Sequence, residues 1–268
     1  MALRLVLHFD INGTITPVDT TEPGSKEQNA NMVIAKSVYG KVINNNWVLN
    51  DDPYDETDSL TYYDYLKSID MSNYKLRSFT FTEPLEPGNK LAHMIPLLVD
   101  SMDTFLFQSF LNVLHKYPDA LIVFRTFGLD ADEVIDYLRT NEKTTKHFKT
   151  VVKGEFSYTN NNHNSILLSL DNNDEPVIGM HKFKELIRTS EPHLALKESY
   201  NFWNANKRNK ECGKQLLGDK EMLQIFFDDN DCINVIDDKN SHSVKINTLQ
   251  ALLNDNYYVD FINDILSR

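Results

Sequence analysis

The segment HFDINGTIT, residues 8–16, places a carboxylate, an amide and a glycine together directly after a short apolar run. Gly13 permits a sharp turn and lets backbone N–H groups approach an anion closely. A carboxylate at the end of a strand beside such a turn can attack a phosphorus atom, which makes Asp10 a candidate nucleophile. The alternative is structural, with Asp10 capping Gly13 or Thr14 in an Asx turn that leaves the strand.

A second acidic pair, Asp228 and Asp229, follows another apolar run in the segment IFFDDND. Adjacent carboxylates repel each other and burial increases that cost, so a protein that holds them together usually supplies a cation. Mg²⁺ binds such hard oxygen ligands and keeps several waters, which leaves room for phosphate oxygens. The alternative is a solvated acidic loop that continues through Asp237 and Asp238.

Short apolar runs predict the strands that would position these residues, at 3–9, 120–124, 222–227 and 233–236, with a weaker candidate at 150–152. Helical spacing predicts helices over 99–117, over 130–138 and over 258–266. Asp130 and Glu133 form a capping-box pattern at the start of the second of these helices. The alternation favours an α/β fold with a Rossmann-like, mostly parallel central sheet flanked by helices.

Ligands of such sheets bind beyond the carboxyl ends of the strands, near the point where the strand order reverses. The informative residues therefore follow the apolar runs directly, and they are Asp10, Asn12, Arg125, Thr126, Asp228 and Asp229. Arg125 is interpreted either as a clamp for phosphate or carboxylate or as a salt bridge at the sheet edge. His8 could approach the candidate site, but we expect it to be a buried structural residue with a backbone hydrogen-bond partner.

Two segments do not follow this alternation. Residues 17–90 contain Pro53, Pro84 and Pro87, a turn at Asn44-Asn45-Asn46 between two strand-like runs, and the cluster Tyr62, Tyr63 and Tyr65. They predict an α+β insertion above the sheet edge of a core made of residues 1–16 and 91–268. The tyrosines either line a substrate pocket or form a small packed core. Residues 155–180 predict a second, small insertion, with an Asn-rich turn at 160–164 before a strand at 166–170.

Composition narrows the class of protein. The chain has 268 residues, of which 41% are apolar, enough for a substantial buried core. A formal net charge of −12 argues against nucleic acid as a partner, although a locally focused cation still permits a phosphorylated substrate. Cys212 and Cys232 are too few for a disulfide framework and predict reduced thiols. The N-terminal run predicts a core strand and no stretch predicts a membrane span, so we expect a cytoplasmic protein.

Other site types do not match the sequence. Gly213-Lys214 lacks the earlier glycine and the Ser/Thr of a P-loop, and the eight histidines form no zinc motif. No Gly-x-Ser-x-Gly elbow is present.

The motifs resemble those of the haloacid dehalogenase-like (HAD) superfamily. DINGTIT is similar to its first motif, RTFG to its second through Thr126, CGKQLL to its third through Lys214, and FFDDND to its fourth. The four occur in the family's order over residues 10–229. The insertions at 17–90 and 155–180 fall where members of the family carry caps, so the resemblance implies that residues 17–90 serve as a cap. ESYNFW, GKQLL and IFFDDN also resemble segments of an uncharacterised protist-type HAD-like group.

The resemblance implies a role for each matched residue. Asp10 would become an aspartyl-phosphate, and Thr126 would donate to the phosphoryl group. Lys214 would pair with the nucleophile and a phosphate oxygen. Lys197 and Lys220 are alternatives for that lysine, and a solvated helix-end charge is the structural alternative for Lys214 itself.

The implied cofactor is Mg²⁺. Its ligands would be Asp10, the backbone carbonyl of Asn12 and Asp229. Asp228 would be a further ligand or lie in the outer sphere.

One position departs from the family pattern. Phosphatases of the superfamily usually carry an aspartate at the position of Asn12, where it protonates the leaving group and later activates water. An amide can orient these groups but cannot transfer a proton, a loss that typically costs about 10²–10⁴ in rate. The possibilities are a substrate with a good leaving group, another residue or water chain that moves the proton, deamidation of Asn12-Gly13 to aspartate, or a site reduced to binding.

The preferred function is a Mg²⁺-dependent phosphohydrolase or phosphotransferase, a HAD-like phosphatase acting on a small phosphorylated substrate. The alternative is a catalytically silent HAD-fold protein that binds metal, phosphate or a protein partner. We expect neither nucleic acid nor membrane as a partner.

Overall fold

The computed structural model describes residues 3–17, 24–141, 144, 148–159, 165–171, 177–236 and 239–268. The chain divides into two compact units. Unit 1 comprises Met1–Ile15, Phe110–Ile246 and Tyr258–Arg268, and unit 2 comprises Thr16–Ser109 and Asn247–Tyr257.

The strands of the described residues are, in chain order, β1 (Arg4–Phe9), β2 (Tyr39–Ile43), β3 (Asn46–Leu49), β4 (Leu60–Thr61), β5 (Leu121–Thr126), β6 (Val151–Tyr158), β7 (Ile166–Leu170), β8 (Val177–Ile178), β9 (His193–Lys197), β10 (Lys214–Leu217), β11 (Met222–Asp228), β12 (Ile233–Ile236) and β13 (Ser241–Lys245). The α-helices are α1 (Lys26–Ser37), α2 (Tyr62–Ile69), α3 (Tyr74–Ser78), α4 (Ile95–Ser101), α5 (Gln108–Lys116), α6 (Ala131–Thr140), α7 (Met180–Thr189), α8 (Tyr200–Ala205), α9 (Thr248–Leu253) and α10 (Tyr257–Leu266). Short 3₁₀ helices cover Asn89–Met94 and Lys210–Cys212.

Unit 1 is built on an eight-stranded sheet with the order β13-β11-β1-β5-β9-β6-β7-β8. The first six strands in this order are parallel, and β7 and β8 continue the sheet in antiparallel pairing. The molecule is therefore a mixed α/β protein with a mostly parallel central sheet flanked by helices, as the sequence predicts. β10 and β12 form a separate, two-stranded parallel sheet.

Alternation along β1 divides the core of unit 1 between the two faces of the sheet. Val6 packs on one face with apolar residues of β5, β6, β7, β9 and α7. Phe9 points to the other face, where its ring lies 4.9 Å from that of Phe110, 5.0 Å from Phe227 and 5.4 Å from Tyr258. These aromatic contacts fix the end of β1, and so they fix the position of the residue that follows it.

Unit 2 contains the predicted hairpin. β2 and β3 pair antiparallel, with Ile43 opposite Asn46, so Asn44 and Asn45 form a two-residue turn. Both have positive φ, at 49° and 62°, which is the geometry that favours asparagine or glycine in such turns. Tyr62 is buried and stacks on Phe81 with ring centroids 4.5 Å apart, so of the two alternatives for this tyrosine the packed core is the one formed.

The strand predictions at 3–9, 120–124, 150–152, 166–170 and 222–227 fall on β1, β5, β6, β7 and β11. The run at 233–236 is a strand, but it pairs with β10 outside the central sheet, so its expected place among the central strands is wrong. The neighbour of β11 is instead β13, whose sequence SHSVK has no apolar run. β9 was also not predicted; it is a central strand whose short apolar run, Leu194–Leu196, lies between His193 and Lys197.

Two helix predictions need correction. The single helix expected over 99–117 is divided into α4 and α5. Between them, the hydroxyls of Ser101 and Thr104 donate to the carbonyls of Leu97 and Ser101, an alternative to continuing the helix. Asp130 stands at the N-cap of α6, but its side chain makes no capping hydrogen bond with the helix, so the predicted capping box is absent.

The unit boundaries differ from the expected ones. Unit 2 extends past the predicted cap at 17–90 to Ser109, and it also includes Asn247–Tyr257. The described part of the 155–180 insertion contributes β7, β8 and the end of β6 to the edge of the central sheet. The turn expected at 160–164, and Asp237 and Asp238, lie outside the described residues.

Candidate active site

Asp10 and Asp228 stand at the same edge of the sheet because their strands are parallel neighbours in register. Phe9 lies opposite Phe227, and the Asp10 N–H donates to the Phe227 carbonyl at 3.0 Å. β5, the next strand of the central sheet along the chain, lies on one side of β1, whereas the later strand β11 lies on the other side. The two acidic segments therefore meet at the position where the strand order reverses, which is where ligands of open α/β sheets bind.

Three carboxylates form the centre of the site. One oxygen from each of Asp10, Asp228 and Asp229 lies within 4.8 Å of the other two. Asp10 and Asp228 are buried and Asp229 is half-buried. Carboxylates this close, and this far from water, repel strongly unless cations accompany them. The alternative of a solvated acidic loop therefore does not describe Asp228.

Lys214 supplies one cation from the first residue of β10. Its ammonium lies 2.6 Å from Asp10 Oδ1 and 2.7 Å from Asp228 Oδ2, and its side chain is 1% exposed. Burial disfavours the charged ammonium, but Asp10 and Asp228 outweigh burial and raise the pKa of Lys214. Lys214 is therefore charged, and the alternative of a solvated helix-end lysine does not describe it.

The carboxylates remain in excess, since Asp229 adjoins the two carboxylates that share this one ammonium. Burial raises the pKa of Asp10 well above its usual value, Lys214 opposes this shift, and Asp228 and Asp229 add to it. Such an environment favours a further cation, and the donors are hard oxygen atoms of the kind that Mg²⁺ prefers. The residues present thus fit a divalent metal ion.

The turn after β1 brings the backbone against Asp229. Gly13 has φ +74°, and a Cβ on it would lie 2.7 Å from Asp229 Oδ2, so both its conformation and the available space require glycine. Thr14 Oγ1 accepts a hydrogen bond from the Asp229 N–H at 3.2 Å. The Thr14 N–H donates to the Ile11 carbonyl at 3.1 Å, a backbone hydrogen bond within the turn after β1.

Asp228 is held on both carboxylate oxygens by groups of the chain. Its Oδ1 accepts from the Asn230 N–H at 2.8 Å, and its Oδ2 accepts from the Cys232 thiol at 3.3 Å as well as from Lys214. Both cysteines, Cys212 and Cys232, are free.

Thr126 and Asn12 lie at the same edge of the sheet, and Asn12 contacts Asp130, which the sequence did not indicate as a site residue. Thr126 is buried at the end of β5, and its Oγ1 accepts from the Gly128 N–H at 2.9 Å. The Asn12 amide donates to Asp130 Oδ2 at 2.7 Å. The sequence pattern indicated Asp130 only as a helix cap. Its contact with Asn12 could not be predicted, because the two residues are 118 positions apart in the chain.

The alternatives to Lys214 lie elsewhere. Lys197 pairs with Glu155 at 2.9 Å and is partly exposed, and Lys220 is exposed. Of the three lysines, Lys214 is the one in hydrogen-bonding contact with Asp10.

Arg125 forms the salt bridge rather than the clamp. It is fully buried, its Nε donates to Glu198 Oε1 at 2.6 Å, and another of its nitrogens donates to the Gln215 carbonyl at 2.6 Å. The rings of Phe156, Phe183 and Phe226 surround its guanidinium, with centroids 5.2 to 5.4 Å away. Burial raises the pKa of Glu198, and Arg125 opposes that shift.

His8 is buried, but its partner is a side chain rather than the expected backbone group. Its Nε2 lies 3.2 Å from Gln224 Oε1, and its ring stacks on Phe226. Burial, together with the charge of Arg125, lowers the pKa of His8 to about 3, so this histidine is neutral at physiological pH.

No family model, no curated protein and no solved structure matches this chain. No helix among the described residues is long and apolar enough to cross a membrane.

Proposed function

We propose that this protein is a Mg²⁺-dependent phosphohydrolase or phosphotransferase of the HAD-like type, with Asp10 as the phosphoryl-accepting nucleophile. The observation that carries the proposal is the cluster of Asp10, Asp228 and Asp229, three carboxylates close together where the strand order of the sheet reverses, of which Asp10 and Asp228 bind the Lys214 ammonium. In a cluster with a purely structural role, such an excess of negative charge would lower the stability of the fold.

The metal would be held by Asp10, Asp229 and the backbone carbonyl of Asn12. Both oxygens of Asp228 already accept hydrogen bonds from the chain, which favours an outer-sphere role for this residue. When bound, Mg²⁺ would offset the carboxylate charge and polarise the phosphoryl oxygens.

The side chains supply the remaining chemistry. An Asp10 oxygen attacks phosphorus, the bond between phosphorus and the leaving oxygen breaks, and an aspartyl-phosphate forms. The Lys214 ammonium favours the ionised form of Asp10 and orients it, and it would offset charge that develops on the phosphoryl oxygens. The Thr126 hydroxyl would donate to the same group. Water or an acceptor hydroxyl then attacks phosphorus and releases the Asp10 carboxylate.

The second candidate is a catalytically silent protein that binds metal, phosphate or a protein partner. The observation that favours it is Asn12, because an amide at this position cannot transfer the proton that hydrolysis requires.

The test is hydrolysis of a panel of phosphate esters with Mg²⁺ by the wild type, Asp10→Asn, Asn12→Asp and the matched control Asp231→Asn. Asp231 is an exposed acid near the site that pairs with Lys210. We expect wild-type turnover that falls at least about 10³-fold in Asp10→Asn, because the nucleophile is lost, and that is unchanged in Asp231→Asn. Peptide masses of the active protein would show whether Asn12 is intact.

Other outcomes decide between the candidates. An inert wild type with an active Asn12→Asp variant would identify a silenced relative with an intact scaffold. Metal binding without turnover in every variant would support the binding protein.

A further inference from the structure

The contact between Asn12 and Asp130 brings a carboxylate to the place where a proton-transferring group is missing. Asn12 follows the candidate nucleophile by two residues, and its amide donates to Asp130 Oδ2 at 2.7 Å. The two residues are 118 positions apart in the chain, so the fold and not local sequence creates this pair.

Asp130 also lies beside the candidate phosphate-binding hydroxyl. Asp130 Oδ2, Asn12 Nδ2 and Thr126 Oγ1 all lie within 3.5 Å of the position that a Cβ on Gly128 would occupy. Gly128 thus leaves space around which the three polar groups converge. Asp130 is only 8% exposed, so its carboxylate is held in a restricted environment.

The helix that follows Asp130 does not account for this carboxylate. Aspartate at an N-cap normally accepts from the first free N–H groups of its helix. Asp130 occupies the N-cap of α6 without a side-chain capping hydrogen bond, and its Oδ2 is directed to Asn12 instead. The carboxylate is therefore oriented toward the loop after β1.

We propose that Asp130 is the general base that activates water for hydrolysis of the aspartyl-phosphate. This inference rests on the proposed function. The water oxygen forms a bond with phosphorus, its proton passes to the Asp130 carboxylate, and the bond between phosphorus and Asp10 breaks to release phosphate and the Asp10 carboxylate. Asp130 then returns the proton to solvent. Asn12 is the positioning residue, because its amide holds the base by hydrogen bonding.

The experiment measures phosphoenzyme and steady-state turnover with an aryl phosphate whose leaving group needs no protonation, in the presence of Mg²⁺. Asp130→Asn keeps a hydrogen-bond acceptor for Asn12 but cannot take a proton. We expect its steady-state rate to fall about 10²–10⁴-fold while acid-stable phosphoenzyme accumulates on Asp10. The double variant Asn12→Asp with Asp130→Asn should regain turnover, since it returns a carboxylate to the site.

Two further variants separate this role from a structural one. Asp132→Asn changes an exposed acid of the same helix turn, which pairs with Lys153, and it should leave both readouts unchanged. Asp130→Ser keeps a good N-cap residue, so it serves if Asp130→Asn does not fold. Wild-type turnover in the Asp130 variants, or slow turnover without phosphoenzyme accumulation, would overturn the inference. An absence of phosphoenzyme from the wild type would instead overturn the proposed function, and this inference with it.

Discussion

Two of the buried ionic clusters in the described part of unit 1 differ in charge balance. In the first, Arg125 meets Glu198, and three phenylalanine rings surround the guanidinium. In the second, Lys214 meets Asp10 and Asp228, with Asp229 adjoining them. The first cluster has one positive and one negative group, whereas the second has three negative groups and one positive.

This difference separates a structural cluster from a candidate site. In a buried pair of one cation and one carboxylate the charges offset each other without a further ion, and removal of either partner destabilises the fold. In a cluster with more carboxylates than cations, a bound cation is needed to offset the remaining negative charge. The comparison therefore predicts that Mg²⁺ affects the second cluster and leaves the first unchanged.

The largest expected effect is on the balanced pair. Arg125→Met leaves Glu198 buried without its partner and should lower the free energy of unfolding by about 3–5 kcal/mol. The loss should be the same with and without Mg²⁺, as measured by urea denaturation. Adding Glu198→Leu should restore much of the stability, because it removes the uncompensated carboxyl. If Mg²⁺ restored the stability of Arg125→Met, the claim that Mg²⁺ acts on the acidic cluster alone would be contradicted.

The next effect concerns the acidic cluster. Mg²⁺ at 100 times its Kd should stabilise the wild type by about 2.7 kcal/mol, because it binds the folded state alone. Asp229→Asn should remove this stabilisation and should not lower the stability of the metal-free protein, since it relieves repulsion. Thermal denaturation with and without Mg²⁺ measures both effects, with Asp231→Asn as the exposed control. Equal Mg²⁺ stabilisation of wild type and Asp229→Asn would contradict the assignment of this carboxylate.

The smallest effect concerns a third cluster, in which one buried carboxylate meets two cations and Arg188 also pairs with Glu221. Asp219 meets both Arg188 at 2.7 Å and Lys184 at 3.0 Å. Burial alone would raise the pKa of Asp219, but hydrogen bonds from Arg188, the Glu221 N–H and Lys184 outweigh it and lower the pKa to about 2. The stabilisation from Asp219 is therefore present above about pH 4 and is lost as pH falls through about 2.

Asp219→Asn measures this contribution. It should lower the free energy of unfolding at pH 7 by about 1–2 kcal/mol, a discounted value because Arg188 is partly exposed to solvent. The difference from wild type should shrink as pH falls below 4, in denaturation experiments across that range. A constant difference down to pH 2 would show that hydrogen-bond geometry, and not charge, is responsible.

The sequence predicted the parts of the site that stand at strand ends. Asp10, Thr126 and Asp228 follow apolar runs, and parallel strands bring their carboxyl ends to one edge. Lys214 was ambiguous from sequence because it lies 204 residues from Asp10, and only the fold distinguishes it from Lys197 and Lys220. The place of Asp130 could not be predicted, since the residue type and position also suit a helix cap.

The same physical reason explains which elements of the fold were missed. β9 has only the short apolar run Leu194–Leu196 and β13 has none, so pairing with neighbouring strands defines both. β12 has the apolar run, yet its partner is β10 and not β11. Strand pairing depends on residues far apart in the chain. Local sequence patterns therefore predict where a strand lies better than they predict which strand it pairs with.

The most direct test is whether Asp10 becomes phosphorylated. The wild type would be incubated with Mg²⁺ and small phosphoryl donors, quenched in acid and analysed by peptide mass. We predict a phosphorylated peptide whose modified residue is Asp10, absent when Mg²⁺ is chelated and absent in Asp10→Asn. Phosphorylation that persists in Asp10→Asn, or turnover of an ester without any modification of Asp10, would contradict the account.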